Sequence, residues 1–288
     1  MITKLKRVFG ILGEFEKGRL KVERIGFFKA LGVLFIWQLF AMLPELISTG
    51  IYAIKKEYYM IPVSFILQFI CNLFFVYIIF RIFTLPNTEE VRKKAVKTKK
   101  MILFSILILF GYRIFYVGTL EHIMNILPMP KFIEDIFNML QIDDIQAWGF
   151  LLSSIFIAPI VEEVVCRGII FNGLRKRYSD LWAILISSFL FGFIHLNLQQ
   201  GINAFIIGVL FSWVYVKTNS LYICIALHAF NNFIINPMYY VIGEDEKGVI
   251  VSIIFAVFGL LISVIGIRYF IKETDKMKEE DSIEIIEF

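Results

Sequence analysis

The feature that most constrains this chain is a series of apolar runs long enough to cross a lipid bilayer, set between short clusters of charge. A helix needs about 20 predominantly apolar residues to cross the hydrocarbon core. Eight runs qualify as candidate spans: 27–48, 59–84, 101–119, 147–171, 181–197, 202–217, 221–243 and 248–271. The charges gather between and beyond them. Residues 1–25, 85–100 and 272–288 hold 28 of the 54 charged side chains. With 58% of the 288 residues hydrophobic and 19% charged, the chain departs from the soluble average of about 45–50% and about 25%. An ordinary soluble enzyme, a disordered protein and a nucleic-acid-binding module are excluded.

The sequence reading is thus an all-α polytopic membrane protein with about eight transmembrane helices. Residues 1–26 form a basic cytoplasmic segment, 27–271 the transmembrane domain and 272–288 a charged cytoplasmic tail. The first span is expected to stop or bend near Pro44. The stretch 121–143, broken by Pro128 and Pro130, reads as an interfacial segment. No signal peptide is read at the N-terminus, where seven Lys/Arg and three Glu precede any apolar run. Alternate loops carry 23 and four Lys/Arg, which places both termini in the cytoplasm by the positive-inside rule. The net charge of +4 follows that topology, and no nucleic-acid partner is implied. Arg113 and Arg167 fall inside spans. Cys71, Cys166 and Cys224 lie in apolar runs without a C-x-x-C pair, so no disulfide framework is implied.

Charge inside a bilayer costs about 2.5–3.5 kcal/mol on insertion scales, so it marks function or tight pairing. The fourth span contains Glu162-Glu163-Val164-Val165-Cys166-Arg167-Gly168. Glu163 and Arg167 are i and i+4 and can pair, which assigns them a supporting role. Glu162 points about 100° away. A carboxylate beside a second one, in a low-dielectric setting, suits a general base. Two histidines also lie in the spans. His195 follows Phe191 by one turn, and His228 precedes Asn232 by one turn. Each alone reads as an interhelical hydrogen-bonding residue. His122, at a span boundary, is given no role. Two imidazoles, a carboxylate and a carboxamide suffice for water-mediated acyl hydrolysis. Glu162, His195 and His228 are equally a catalytic zinc ligand set, so a metal-bound water and a glutamate-activated water both remain open. No H-E-x-x-H, G-x-S-x-G or pair of intramembrane aspartates occurs. Cys166 has no evident base and reads as a buried structural thiol.

The order E-E-x-x-x-R (162–167), F-x-x-x-H (191–195) and H-x-x-x-N (228–232) resembles the CPBP, or Abi, family of intramembrane proteases, which includes type II CAAX prenyl endopeptidases. The match covers 147–243. The resemblance implies that Glu162 activates the water, that His195 shares it, that His228 and Asn232 form the oxyanion site, and that Glu163, Arg167 and Phe191 order the site. It implies membrane-associated peptide or protein substrates: prenylated CAAX proteins, peptide leaders, or a role in bacteriocin immunity. Two rivals stand beside it. A proton-coupled transporter predicts internal repeats, and none is visible. A non-catalytic scaffold or immunity partner predicts that Glu162→Gln retains full biological activity.

One tension is geometric. At about 1.5 Å per residue, straight spans place Glu162, His228 and His195 at different depths. They meet only if the helices tilt, are offset, or if the fifth span begins later than Leu181, and Pro159 is a candidate bend.

Overall fold

The computed structural model describes residues 10–55, 60–88, 95–131, 151–242 and 248–286. The chain divides into two compact units, Met1–Lys94 with Met129–Trp213 and Ala95–Pro128 with Val214–Phe288.

The first unit begins with helix α1 (10–16), which ends at Gly18 in the left-handed region (φ 67°). Strand β1 (Leu20–Val22) follows, then helices α2 (Phe27–Lys55) and α3 (Met60–Phe83), then strand β2 (Thr84–Pro86). β1 and β2 pair antiparallel, Val22 opposite Thr84 and Leu20 opposite Pro86. This small sheet is a departure from the all-α expectation. Its cause is positional: the strands flank the α2–α3 hairpin, so packing those helices together brings the flanking backbone into register. α2 also runs through Pro44 to Lys55 instead of ending near it. A proline costs one backbone bond, and apolar surroundings hold the rest of the ladder in place.

The fourth predicted span is a composite helix, α6 (151–174). A π turn (Ser153–Ile157) leads into an α turn (Ala158–Glu163), a longer π segment (Val164–Phe171) and a final α turn (Asn172–Leu174). Pro159 has no N–H to give. The widened turn before it carries the Ala158 N–H back to the Ser153 carbonyl, five residues away. At the far end, the Asn172 side-chain amide donates to the carbonyls of Arg167 (2.9 Å) and Gly168 (3.2 Å). π turns inside α-helices are frequent at functional sites. Residues 147–150, the predicted start of this span, and 132–143 of the expected interfacial stretch lie outside the described residues.

Helix α7 (Asp180–Phe193) has 14 residues, a length of about 21 Å, well short of the hydrocarbon core. The predicted span 181–197 therefore ends four residues early. Residues 194–197 form a tight turn in which Leu196 adopts φ 53°. Helix α8 (Leu198–Thr218) follows, and the division into units falls within it. The turn is possible because Gly192 and Gly201 face each other: a Cβ on Gly192 would meet the Gly201 carbonyl oxygen at 2.5 Å.

In the second unit, α4 (Lys99–Gly118) is capped by Thr98, whose hydroxyl accepts from the Met101 N–H at 3.1 Å. The short helix α5 (Leu120–Met124) follows. Helix α9 (Leu221–Ile242) and helix α10 (Val249–Ile286) complete the unit. α4 and α10 approach closely through small residues. A Cβ on Gly111 would lie 2.6 Å from the Ser263 backbone nitrogen and 2.7 Å from the Gly259 oxygen. The helical course of α10 continues through the charged segment after Lys272, because Lys and Glu are good helix formers.

Each of the eight predicted spans carries a helix over most of its described residues, the exceptions lying at span ends such as 194–197 and Thr84. Among the described residues, five helices are long and apolar enough to cross a membrane, and Asp180–Phe193 and Leu221–Ile235 are shorter apolar helices. Large apolar side chains lie exposed on these helices, such as Phe35, Phe74, Leu103 and, along α10, Ile250, Val257 and Leu261. Apolar exposure on that scale suits a lipid surround.

Candidate active site

The α turn Ala158–Glu163 and the π segment after it set two faces of α6. On one face, Glu163 and Arg167 close the expected ion pair, Nη1 to Oε1 at 2.9 Å, with side chains 0% and 1% exposed. The Arg167 Nη2 donates to the Gly208 carbonyl at 3.0 Å. Its guanidinium carbon stands 4.8 Å from the Phe191 ring centroid and 5.6 Å from that of Phe211. Gly208 makes this contact possible, since a Cβ there would press on Ser188 at 3.1 Å. The arginine thereby ties α6 to α7 and α8.

On the other face, Glu162 is half-buried and lines a cleft of about 220 Å³ together with His195. The fifth span does not begin later than Leu181, since α7 starts at Asp180, yet Glu162 and His195 line the same cleft. α7 is short, so His195 lies in the turn after it rather than inside a full-length span. The His195 Nδ1 stands 2.9 Å from the Phe191 carbonyl oxygen. A carbonyl only accepts, so Nδ1 carries the proton and Nε2 is the basic nitrogen. Phe191 also packs edge-on against the imidazole at 5.2 Å. Phe191 thus touches both the arginine and the histidine.

The rest of the cleft comes from residues the motif reading did not single out. Trp37, Gln38 and Ala41 come from α2, Gln68 and Asn72 from α3, and Ser153 from α6. They hold one another in place. Trp37 Nε1 donates to Asn72 Oδ1 (3.4 Å), Asn72 Nδ2 to the Gln68 carbonyl (2.9 Å), and Ser153 Oγ to Gln68 Oε1 (3.3 Å). Gln38 Nε2 donates to the Ile194 carbonyl at 3.3 Å, beside His195. The signal that finds them is the one that found Glu162: carboxamides within apolar runs, with Gln68 and Asn72 one turn apart on one face.

His228 and Asn232 lie one turn apart on α9, in the second unit. His228 is buried at 5% exposure. Asn232 Oδ1 accepts from the Asn231 amide at 2.9 Å. His122 contacts Ser252 (Nε2 to Oγ, 3.0 Å), and Cys166 is a buried thiol in the π segment. Among the described residues, no three His, Cys, Asp or Glu side chains converge as a metal-holding group.

Residues 144–234 match the family model described as type II CAAX prenyl endopeptidase Rce1-like. Two curated proteins are similar. One is an uncharacterized protein of Mycoplasma capricolum subsp. capricolum, 28% identical over 172 residues, which covers 54% of this chain and 50% of that protein. The other bears the name "Putative membrane peptidase YdiL" in Bacillus subtilis and is 33% identical over 92 residues, 32% of this chain and 38% of that one. The match therefore spans half or less of each relative. No solved structure gives a significant match. The three motifs all fall inside the matched stretch, and over residues 144–234 this chain is similar to the Rce1-like family of type II CAAX prenyl endopeptidases.

Proposed function

We propose that the protein is an intramembrane endopeptidase that hydrolyses peptide bonds of membrane-associated peptides or proteins. The observation that carries this reading is the shared cleft of Glu162 and His195, on a face of α6 turned away from the buried Glu163–Arg167 ion pair. A water lying between them donates one hydrogen to the Glu162 carboxylate and one to His195 Nε2. Its oxygen lone pair is then directed at a substrate carbonyl. Glu162 takes the proton as water attacks, and returns it to the departing amine as the tetrahedral intermediate collapses. His228 and Asn232 donate to the oxyanion, an assignment that rests on the motif order. No step is routed through a metal.

The reading includes eight crossings with both termini cytoplasmic, residues 1–26 and 272–288 outside the membrane, and 147–243 as the protease core. The 23-to-four bias of Lys/Arg between alternate loops supports that orientation. Substrates are prenylated CAAX-type proteins or peptide leaders, or bacteriocins in an immunity role.

The test compares new peptide termini in cells producing wild type and Glu162→Gln at equal levels. Termini that require Glu162 identify substrate and cut site together. Equal terminus profiles, with both proteins rescuing the same phenotype, defeat the catalytic reading and leave a scaffold.

A further inference from the structure

The cleft beside Glu162 and His195 has a polar lining that the reaction scheme does not use. Trp37 and Gln38 of α2, Gln68 and Asn72 of α3 and Ser153 of α6 all belong to it. Their hydrogen bonds divide them into two groups. Asn72 serves the packing of the helices. Its Oδ1 accepts from the Trp37 indole, which only donates, and its Nδ2 donates to the Gln68 backbone carbonyl, which only accepts. Both ends of that carboxamide are engaged, and the residue is buried.

Gln38 and Gln68 are each engaged at one end. Gln38 Nε2 donates to the Ile194 carbonyl at 3.3 Å, in the turn that carries His195. A carbonyl cannot donate, so this bond fixes the orientation of the carboxamide and leaves Oε1 as a spare acceptor. Gln68 Oε1 accepts from the Ser153 hydroxyl at 3.3 Å, which leaves its NH₂ as a spare donor. Among the described residues, neither spare group has a hydrogen-bond partner. Both side chains are half-buried and line the cleft.

These spare groups match what a substrate brings. A peptide cut at membrane depth must open its own backbone hydrogen bonds near the cut, because water has to reach the carbonyl carbon. The N–H and C=O groups so freed find no water in the hydrocarbon core and need partners from the protein. A carboxamide carries the same donor and acceptor as a peptide unit, so it pairs with a main chain whatever the side chains are.

We propose that Gln38 and Gln68 form a subsite for the substrate main chain beside the scissile bond, Gln38 Oε1 accepting a peptide N–H and Gln68 Nε2 donating to a peptide carbonyl. The proposal rests on the protease reading and deepens it, since it makes an opened peptide segment, held by its backbone, the form in which substrate is recognised.

The test uses the full-length protein in lipid nanodiscs and a peptide spanning the cut site that Glu162-dependent termini identify. A series of peptides replaces one main-chain N–H at a time by an ester oxygen, at every position except the scissile bond. In wild type, one ester near the cut should lower kcat/KM about 3- to 10-fold, the worth of one neutral hydrogen bond. Gln38→Met removes the acceptor, and the same ester should then cost less than about twofold, with the penalties at other positions unchanged. A merely structural tether to Ile194 predicts that Gln38→Met slows every peptide alike and leaves that penalty in place, which overturns the proposal. A wild-type series without any ester penalty also overturns it. Gln38→Asn, which withdraws the carboxamide by one methylene, replaces Gln38→Met if that variant does not fold, with the same two outcomes. An ester carbonyl is a weaker acceptor than an amide carbonyl, so Gln68→Met should erase the smaller penalty at the unit whose carbonyl it holds; retention of every penalty there overturns its half of the subsite. If no terminus depends on Glu162, the protease reading falls and the subsite falls with it. Glu162-dependent cleavage with ester penalties indifferent to Gln38 overturns the subsite alone.

Discussion

Glu162 and Glu163 are adjacent and chemically identical, yet α6 puts them to opposite uses. Glu163 is fully buried and bonded to Arg167, which also reaches the Gly208 carbonyl and two aromatic faces. Glu162, one residue earlier, lines a cleft beside a histidine whose proton is fixed on Nδ1. The difference is a rotation of about 100°. It shows how one carboxyl group can be kept in contact with a cavity while its neighbour fastens helices around it. The cost of a buried ion is offset by its partners, and Arg167 draws them from three helices: Glu163 on α6, Phe191 on α7, and Gly208 and Phe211 on α8.

The largest effect that tests this contrast is on turnover. Glu162→Gln should lower Glu162-dependent cleavage by about 10²–10⁴-fold and leave the thermal midpoint of the purified protein where it was. A matching loss of stability would show that the two glutamates share one structural task. Glu163→Gln should do the opposite and destabilise the fold by about 3–5 kcal/mol, because Arg167 is left buried without its counter-charge. Denaturant titration in mild detergent measures this. The double variant Glu163→Gln with Arg167→Met should recover much of the loss, since no charge is then stranded. Failure to recover would mean that the helices need the ion pair itself.

A smaller effect follows from the glycine that accepts the second arginine bond. Gly208→Ala should cost about 1–3 kcal/mol by overpacking against Ser188, read by the same titration. The smallest effect lies outside the long apolar helices. Arg19 donates to both oxygens of Glu14, at 3.0 Å and 2.9 Å, and this bond chiefly holds the exposed Glu14 carboxyl below its ordinary pKa. A lowered folded pKa contributes stability above the unfolded value and loses it as pH falls through the folded one. Arg19→Ala should therefore melt slightly below wild type at pH 7. The two curves should converge once the pH drops well below about 4.3, the usual glutamate value. A gap that persists in acid would assign the effect to packing instead.

Hydropathy alone placed a helix on each of the eight apolar runs, because a bilayer-length apolar run has few other ways to satisfy its backbone; five of these helices, among the described residues, are long and apolar enough to cross a membrane. Helical spacing alone paired Glu163 with Arg167 and separated Glu162 from them, because i and i+4 share a face whatever surrounds the helix. Other features needed tertiary contacts. The β1–β2 pairing is non-local and follows from the packing of α2 on α3. The early end of α7 depends on two glycines that meet only once the chain has turned, so the apolar run 181–197 reads in sequence as one uninterrupted span. The carboxamides of Gln38, Gln68 and Asn72 are visible in the sequence as polar interruptions, but their convergence on one cleft depends on which faces of α2, α3 and α6 meet. Arg113 likewise stands out in the sequence as a charge in a span, while its neutral partner Asn231 lies 118 residues away and no local spacing indicates it. The sequence by itself determined which residues are out of place in an apolar chain. Tertiary structure decided what each of them is for, because in a low-dielectric interior the role of a polar group is set by the donor, acceptor or cavity that packing brings within about 3 Å of it.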